Sequence, residues 1–376
     1  MKYSSLLLSF VVYLLFNSCS NTSNPTDIDK NTAVIERLDK LGDSLTSMIM
    51  VAGKNKSIPG AIIGVYNPSS NLKYLKSFGK ADISRDFAMS RNDEFRIGTL
   101  THTFIATLAF DLIDDNIISL DDAVSKYINV PHSGNEIKIS HLLAHKSGIP
   151  DFMDSVKFYQ LSEPKRKFSD SELIGFAFAQ AESFRPTSNI NISNTNYLLL
   201  GKILESAGGK NLQNLVQSRI LTPLFLTHTN FDINSSFKSS LFSKGYLANE
   251  SGNYVDVTNL YDFSWTWASA NMTSNSTDMI YWLEKLVLGG IISGSSTNKM
   301  LNFEKLYTKN GLEYYYGMGV MKIGSFVGYS GEIAGYSTSM YMLPDNKTKI
   351  FIFTNTENNN DTLLIKIAQI LFPGLR

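Results

Sequence analysis

From Thr32 to Gly53 apolar residues recur every three or four positions, at Ile35, Leu38, Leu41, Leu45 and Met48, which predicts an amphipathic helix. GAIIGVY (60–66) and LKYLKSFG (72–79) flank the polar stretch NPSSN and predict a β-hairpin. FRIGTLTHTF (95–104) reads as a strand or loop ending at Gly98. A helix over 99–115 follows, apolar at Phe104, Ile105, Leu108, Leu112 and Ile113. Helical patterns then dominate to about residue 220, in SLDDAVSKYI, ISHLLAH, SDSELIGFAFAQ and NYLLLGKILESAG. Strand patterns return in YYYGMGVMKIG, FVGYSG, GYSTSMYMLP and KIFIFTN, and DTLLIKIAQILF closes the chain as an apolar helix. Strands at both ends around a helical middle predict an α/β domain built from residues 32–97 and 245–376, with residues 98–244 as a helical domain. The cleft between them is the default place for a small-molecule or peptide ligand.

Composition narrows the classes. The 376 residues carry no formal net charge, with 43% hydrophobic and 12% aromatic residues, which suits a folded globule. No basic run is interleaved with aromatics, so nucleic acid is not an expected partner. The single cysteine, Cys19, allows neither an intramolecular disulfide framework nor a cysteine metal cluster. MKYSSLLLSFVVYLLFNSCSN (1–21) has one lysine and an apolar run from Leu6 to Phe16, and reads as a secretory signal too short to span a bilayer. The cysteine directly after that run resembles a bacterial lipoprotein cleavage site. It implies a signal over 1–19, lipidation at Cys19, a polar tether over 20–31 and attachment to a membrane of the cell envelope.

Thr99 and His102 stand three apart at the start of the predicted helix, where a hydroxyl and a base one turn below share a face. The surrounding frames IPGAIIGVY, FRIGTLTHTF, ISHLLAHKSGIPDF, SNTNYLLLG, LTPLFLTHT, KGY, STDMIYWL, GYSGEIAGYST and IFTN occur in one order along the chain. In that order they resemble the serine β-lactamase and penicillin-binding protein superfamily, most closely its class C-like β-lactamases, esterases and DD-peptidases. The resemblance implies an α/β fold with an antiparallel sheet flanked by helices, plus an all-helical domain, and no cofactor. It also implies a Ser-x-x-Lys nucleophile motif, a Tyr-x-Asn loop and a Lys- or His-Thr-Gly strand. The oxyanion hole it implies lies at the backbone N–H groups of Thr99 and Glu332.

Each motif is kept as a frame and altered at its reactive member. Thr99 stands at the serine position and His102 at the lysine position. Ile192 holds the tyrosine position of Ile192-Ser193-Asn194, with Asn194 retained. Tyr329-Ser330-Gly331 replaces the strand motif, and Ala270-Asn271 replaces a glycine pair. A rewired hydrolase would use Thr99 as nucleophile, His102 as base and Tyr329 as acid. Threonine is stiff at χ1, however, and loss of one member of a cooperating catalytic unit costs roughly 10⁴–10⁶ in turnover. Four altered positions therefore point to a binding or regulatory pseudoenzyme, the alternative being a divergent hydrolase of peptides, amides or esters. His141 and His145 have the spacing of zinc ligands but lack the glutamate of that motif and read as structural. His132 and His228 read as isolated loop residues, and YDFSWTWASAN (261–271) as core packing, with Trp265 or Trp267 able to stack on a ring if either faces the cleft.

Overall fold

The computed structural model describes residues 25–47, 50–51, 54–55, 57–130, 136–232, 237–358 and 360–374. The signal segment, Cys19 and His132 lie outside the described residues. The strands of the main sheet are β1 (Gly60–Asn67), β2 (Leu72–Asp82), β3 (Phe87–Ala88), β4 (Glu304–Lys309), β5 (Leu312–Tyr316), β6 (Met321–Ile323), β7 (Phe326–Ile333), β8 (Tyr336–Leu343) and β9 (Thr348–Thr354). They form one antiparallel sheet in the order β4-β5-β6-β7-β8-β9-β1-β2-β3. The first and last strands meet at its centre, where Ile350 faces Val65 and Ile352 faces Ile63. The expected hairpin is β1–β2, its turn set by Asn71 at φ 52° and by the Asn67 side chain accepting from the Ser69 N–H.

Residues 350–354 and 336–342 are buried without alternation, so the central strands are covered on both faces. The helices used below are α1 (Pro25–Thr46), α2 (Thr101–Asp114), α3 (Asn194–Gly208), α4 (Ser276–Leu288) and α5 (Asn360–Leu371). α1 packs on α5 and on β1 and β2, α5 also packs on β8 and β9, and α4 packs on β7, β8 and β9. Helices α2 and α3 pack against each other in the helical layer beside the sheet. Phe104 of α2 stacks on Trp282 of α4 at 3.9 Å, and the indole N–H donates to Thr103 Oγ1 at 2.8 Å.

Two boundaries differ from the sequence reading. Helix α1 begins at Pro25, so residues 25–31 are helix and not tether; proline suits the first helical turn, where its missing N–H has no role. Asn31 Nδ2 fastens this part to the Ser70 carbonyl at 2.6 Å. The same helix ends at Thr46, short of Gly53, because Met50–Val51 turn back to pair with Lys54–Asn55. No helix among the described residues is long and apolar enough to cross a membrane.

Candidate functional site

The cleft is built on a close approach of two backbones. The helix expected from residue 99 starts with a tight turn at Gly98–Leu100, and α2 proper begins at Thr101. Gly98 holds φ +55°, and a Cβ there would lie 2.6 Å from the Glu332 carbonyl. A Cβ on Gly331 would lie 2.0 Å from the Ile97 oxygen. On β7, β6 pairs with Phe326–Gly328 alone, which leaves residues 329–333 an open edge facing this turn. Thr338 Oγ1 donates to the Ile97 oxygen at 3.1 Å and pins the turn to the sheet. Positions 99 and 332 thus face each other, the frame an oxyanion hole requires.

Two adjoining cavities of about 880 and 500 Å³ open over this floor and share Thr99, Glu332 and Glu357. The larger is walled by Asp151, Asn194, Trp265 and Ala270, among others. Asn194 opens α3, and both its backbone N–H and its Nδ2 donate to Asp151 Oδ2, at 3.1 and 2.8 Å. The smaller contains Ile192, Ser330 and Asp361. Ser330 Oγ is occupied by Asp361 Oδ1 at 2.5 Å and by Ser339 Oγ at 2.7 Å. Thr99 Oγ1 donates only a long bond, 3.5 Å, to the Ser330 carbonyl.

Thr99, Asn194 and the Glu332 backbone therefore meet at the cleft, while His102, Tyr329 and Ser193 do not line it. The resemblance of Tyr329-Ser330-Gly331 to the strand motif implies that Tyr329 shares the cleft with Thr99 and Asn194, and strand alternation corrects this. Ser330 and Glu332 face the cavities, and Tyr329 points to the other face of β7. There Tyr329 is buried, with its hydroxyl 2.8 Å from His102 Nδ1 and 3.4 Å from the Tyr316 hydroxyl. His102 stacks on Tyr197 at 3.8 Å and 12°, and lies 5.5 Å from the His145 ring. His145 Nδ1 accepts from Asn196 Nδ2 at 3.0 Å and from the Ser193 N–H at 3.3 Å. The Ser193 hydroxyl donates inward to the Pro150 carbonyl at 3.3 Å.

This cage governs the chemistry. Burial, and secondarily repulsion from His145, holds His102 well below the usual histidine range. Burial alone takes His145 down to about 3. Burial pushes the Tyr329 phenol above its ordinary range, so it stays protonated. A neutral imidazole engaged by a phenol, with no hydrogen bond to Thr99, is poorly placed to take the threonine proton.

The remaining candidates fall into structural places. His141 Nδ1 accepts the Lys138 N–H at the start of its own helix. His228 is a partly exposed neighbour of Glu94, 3.7 Å away. Trp265 lines the larger cavity, whereas Trp267 lies under the Lys202 ammonium. Asn271 is buried and donates to the Asp232 carbonyl. Sequence reasoning missed the carboxylates of Asp151, Glu332, Glu357 and Asp361, which no motif marks as a set because they come from three separate segments.

Comparison with known proteins places this geometry. The beta-lactamase family profile matches residues 35–372. Penicillin-binding protein 4* of Bacillus subtilis is 24% identical over 349 residues, covering 88% of this chain and 76% of that protein. Teichoic acid D-alanine hydrolase of Staphylococcus aureus is 24% identical over 302 residues, covering 80% of this chain and 71% of that protein. The D-amino acid amidase of Ochrobactrum anthropi SV3, solved with D-phenylalanine, superposes with a TM-score of 0.78 at 21% identity, over 92% of this chain and 100% of that one. That likeness speaks for the fold. With the family profile running through the turn at Thr99, the loop at Asn194 and the strand at Ser330, the chain belongs to the beta-lactamase family.

Proposed function

We propose that this chain is a ligand-binding pseudoenzyme of the bacterial cell envelope, a serine-hydrolase fold that keeps its cleft and has lost its reaction. One observation carries the reading: His102 Nδ1 is bonded to Tyr329 in a sealed cage, while Thr99 Oγ1 finds only the Ser330 carbonyl. A nucleophile needs its base within hydrogen-bond reach, and here the base has another partner. The names of the relatives, a penicillin-binding protein and a teichoic acid D-alanine hydrolase, support an envelope setting. Covalent labelling tests the loss of chemistry. Intact-mass analysis after incubation with a penicillin or a fluorophosphonate should show the unmodified chain, and an adduct mapped to Thr99 would refute the proposal.

The anchor is proposed from the apolar run that ends at the lone Cys19. Labelling with a fatty-acid analogue should mark the wild type and leave Cys19→Ala unmarked. Equal labelling of the two would exclude lipidation at that residue.

A further inference from the structure

We propose that His145 is an acid-sensitive latch on the loop that walls the cleft: as a neutral ring it holds residues 191–194 closed, and its protonation releases them. This adds regulation to the binding reading above and rests on it for its use, while the latch itself is read without any ligand. His145 follows the short helix Ile139–Leu143 at φ 53°, in the left-handed region where glycine is the usual occupant after a helix. From there both its backbone and its ring reach the loop. Its carbonyl accepts the Asn191 N–H at 3.0 Å, and its Nδ1 accepts the Ser193 N–H at 3.3 Å and the Asn196 amide at 3.0 Å. Beside these bonds stand Ile192 and Asn194, which line the smaller and the larger cavity.

The donors fix the tautomer. A backbone N–H can only donate, so Nδ1 must be bare, and the Asn196 amide must turn its Nδ2 toward it. The Ser147 hydroxyl, 2.5 Å from Asn196 Oδ1, agrees with that orientation. The ring proton therefore sits on Nε2, which is buried without a partner among the described residues. A second proton would have to enter at Nδ1, against two N–H groups already aimed there, so the closed loop excludes it. Around the ring stand His102 of α2, Tyr197 of α3 and Tyr316 of β5, with centroids 5.5, 5.1 and 4.9 Å away. None of them is a carboxylate that would favour an imidazolium. On its own segment Lys146 pairs with Glu304 at 2.9 Å. Once the loop lifts, the ring meets water and takes the proton near its ordinary value of about 6.5. Opening thus binds a proton, and falling pH favours it.

Amide hydrogen exchange of the full chain reads the latch. Protection at Asn191 and Ser193 should fall about 25-fold between pH 7 and 5, the linkage of one proton that only the open loop binds. In His145→Asn the side-chain oxygen can accept the same N–H groups, the backbone tolerates the left-handed region, and nothing titrates. Protection of the loop should then change less than about twofold over that range. A pH-insensitive loop in the wild type would overturn the latch, and so would the wild-type slope retained in His145→Asn. Loop amides that exchange only at the rate of the central strands β1 and β9 would overturn it as well, because the loop would have no opening of its own. The first and third of these need no variant. All three stand apart from an adduct at Thr99, the result that refutes the binding reading.

Discussion

Protonation of its two caged histidines in the unfolded chain should cost this protein about 4 kcal/mol of folding stability as the pH falls from 7 to 5. His102 and His145 are held neutral in the folded state, His145 with a value of about 3, and are free to protonate near 6.5 once unfolded. Below about pH 6.5 the unfolded chain therefore binds more protons than the folded one, and stability falls as pH falls. Each histidine contributes roughly 1.4 kcal/mol per pH unit in this window, or about 2 kcal/mol by pH 5. The raised carboxyls of Asp151, Glu332, Glu357 and Asp361 act with the opposite sign, because the folded state protonates them first, and offset part of this loss. Denaturant midpoints measured at pH 7, 6 and 5 give the slope, and His102→Gln should roughly halve it. A flat profile over that range would mean the cage admits water and its histidines titrate normally.

Returning the family's lysine alone should harm the fold before it helps the chemistry. His102→Lys puts an ammonium among Tyr197, Tyr316, Tyr329 and His145, all buried, with no carboxylate among the ring and hydrogen-bond partners of His102. An uncompensated buried charge costs about 3–5 kcal/mol. The loss should shrink as pH rises toward about 10, because a buried lysine is more easily left neutral and its folded value falls below its unfolded one. Denaturant unfolding at pH 7 and pH 9.5 reads both the size and the sign. A loss under about 1 kcal/mol would contradict the sealed cage.

The cage explains what could be read from the chain and what could not. The β1–β2 hairpin, the strands of the last third and the closing helix follow from local periodicity, and the structure has them. The motif frames pointed to the cleft through the family they resemble, and Thr99 and Asn194 both line it. The partner of His102 was hidden for a different reason. It lies 227 residues away, and only the register of β7 turns Tyr329 beneath the cleft while Ser330 faces it. Tyr316 and Tyr197 complete the cage from two further segments, and in sequence each is an ordinary aromatic in a core pattern. The acidic lining was equally invisible, since Glu332, Glu357 and Asp361 become neighbours only when β7 and the start of α5 meet. Retained frames therefore reported the scaffold, and long-range packing decided the state of its reactive positions.

The central claim, a cleft kept without its reaction, is tested most directly by turnover of an amino acid amide or ester by the wild type and by Thr99→Ala. Both proteins should release product at the same background rate, because Thr99 has no base within hydrogen-bond reach. Measurable wild-type hydrolysis that disappears in Thr99→Ala would make Thr99 a working nucleophile and contradict the account.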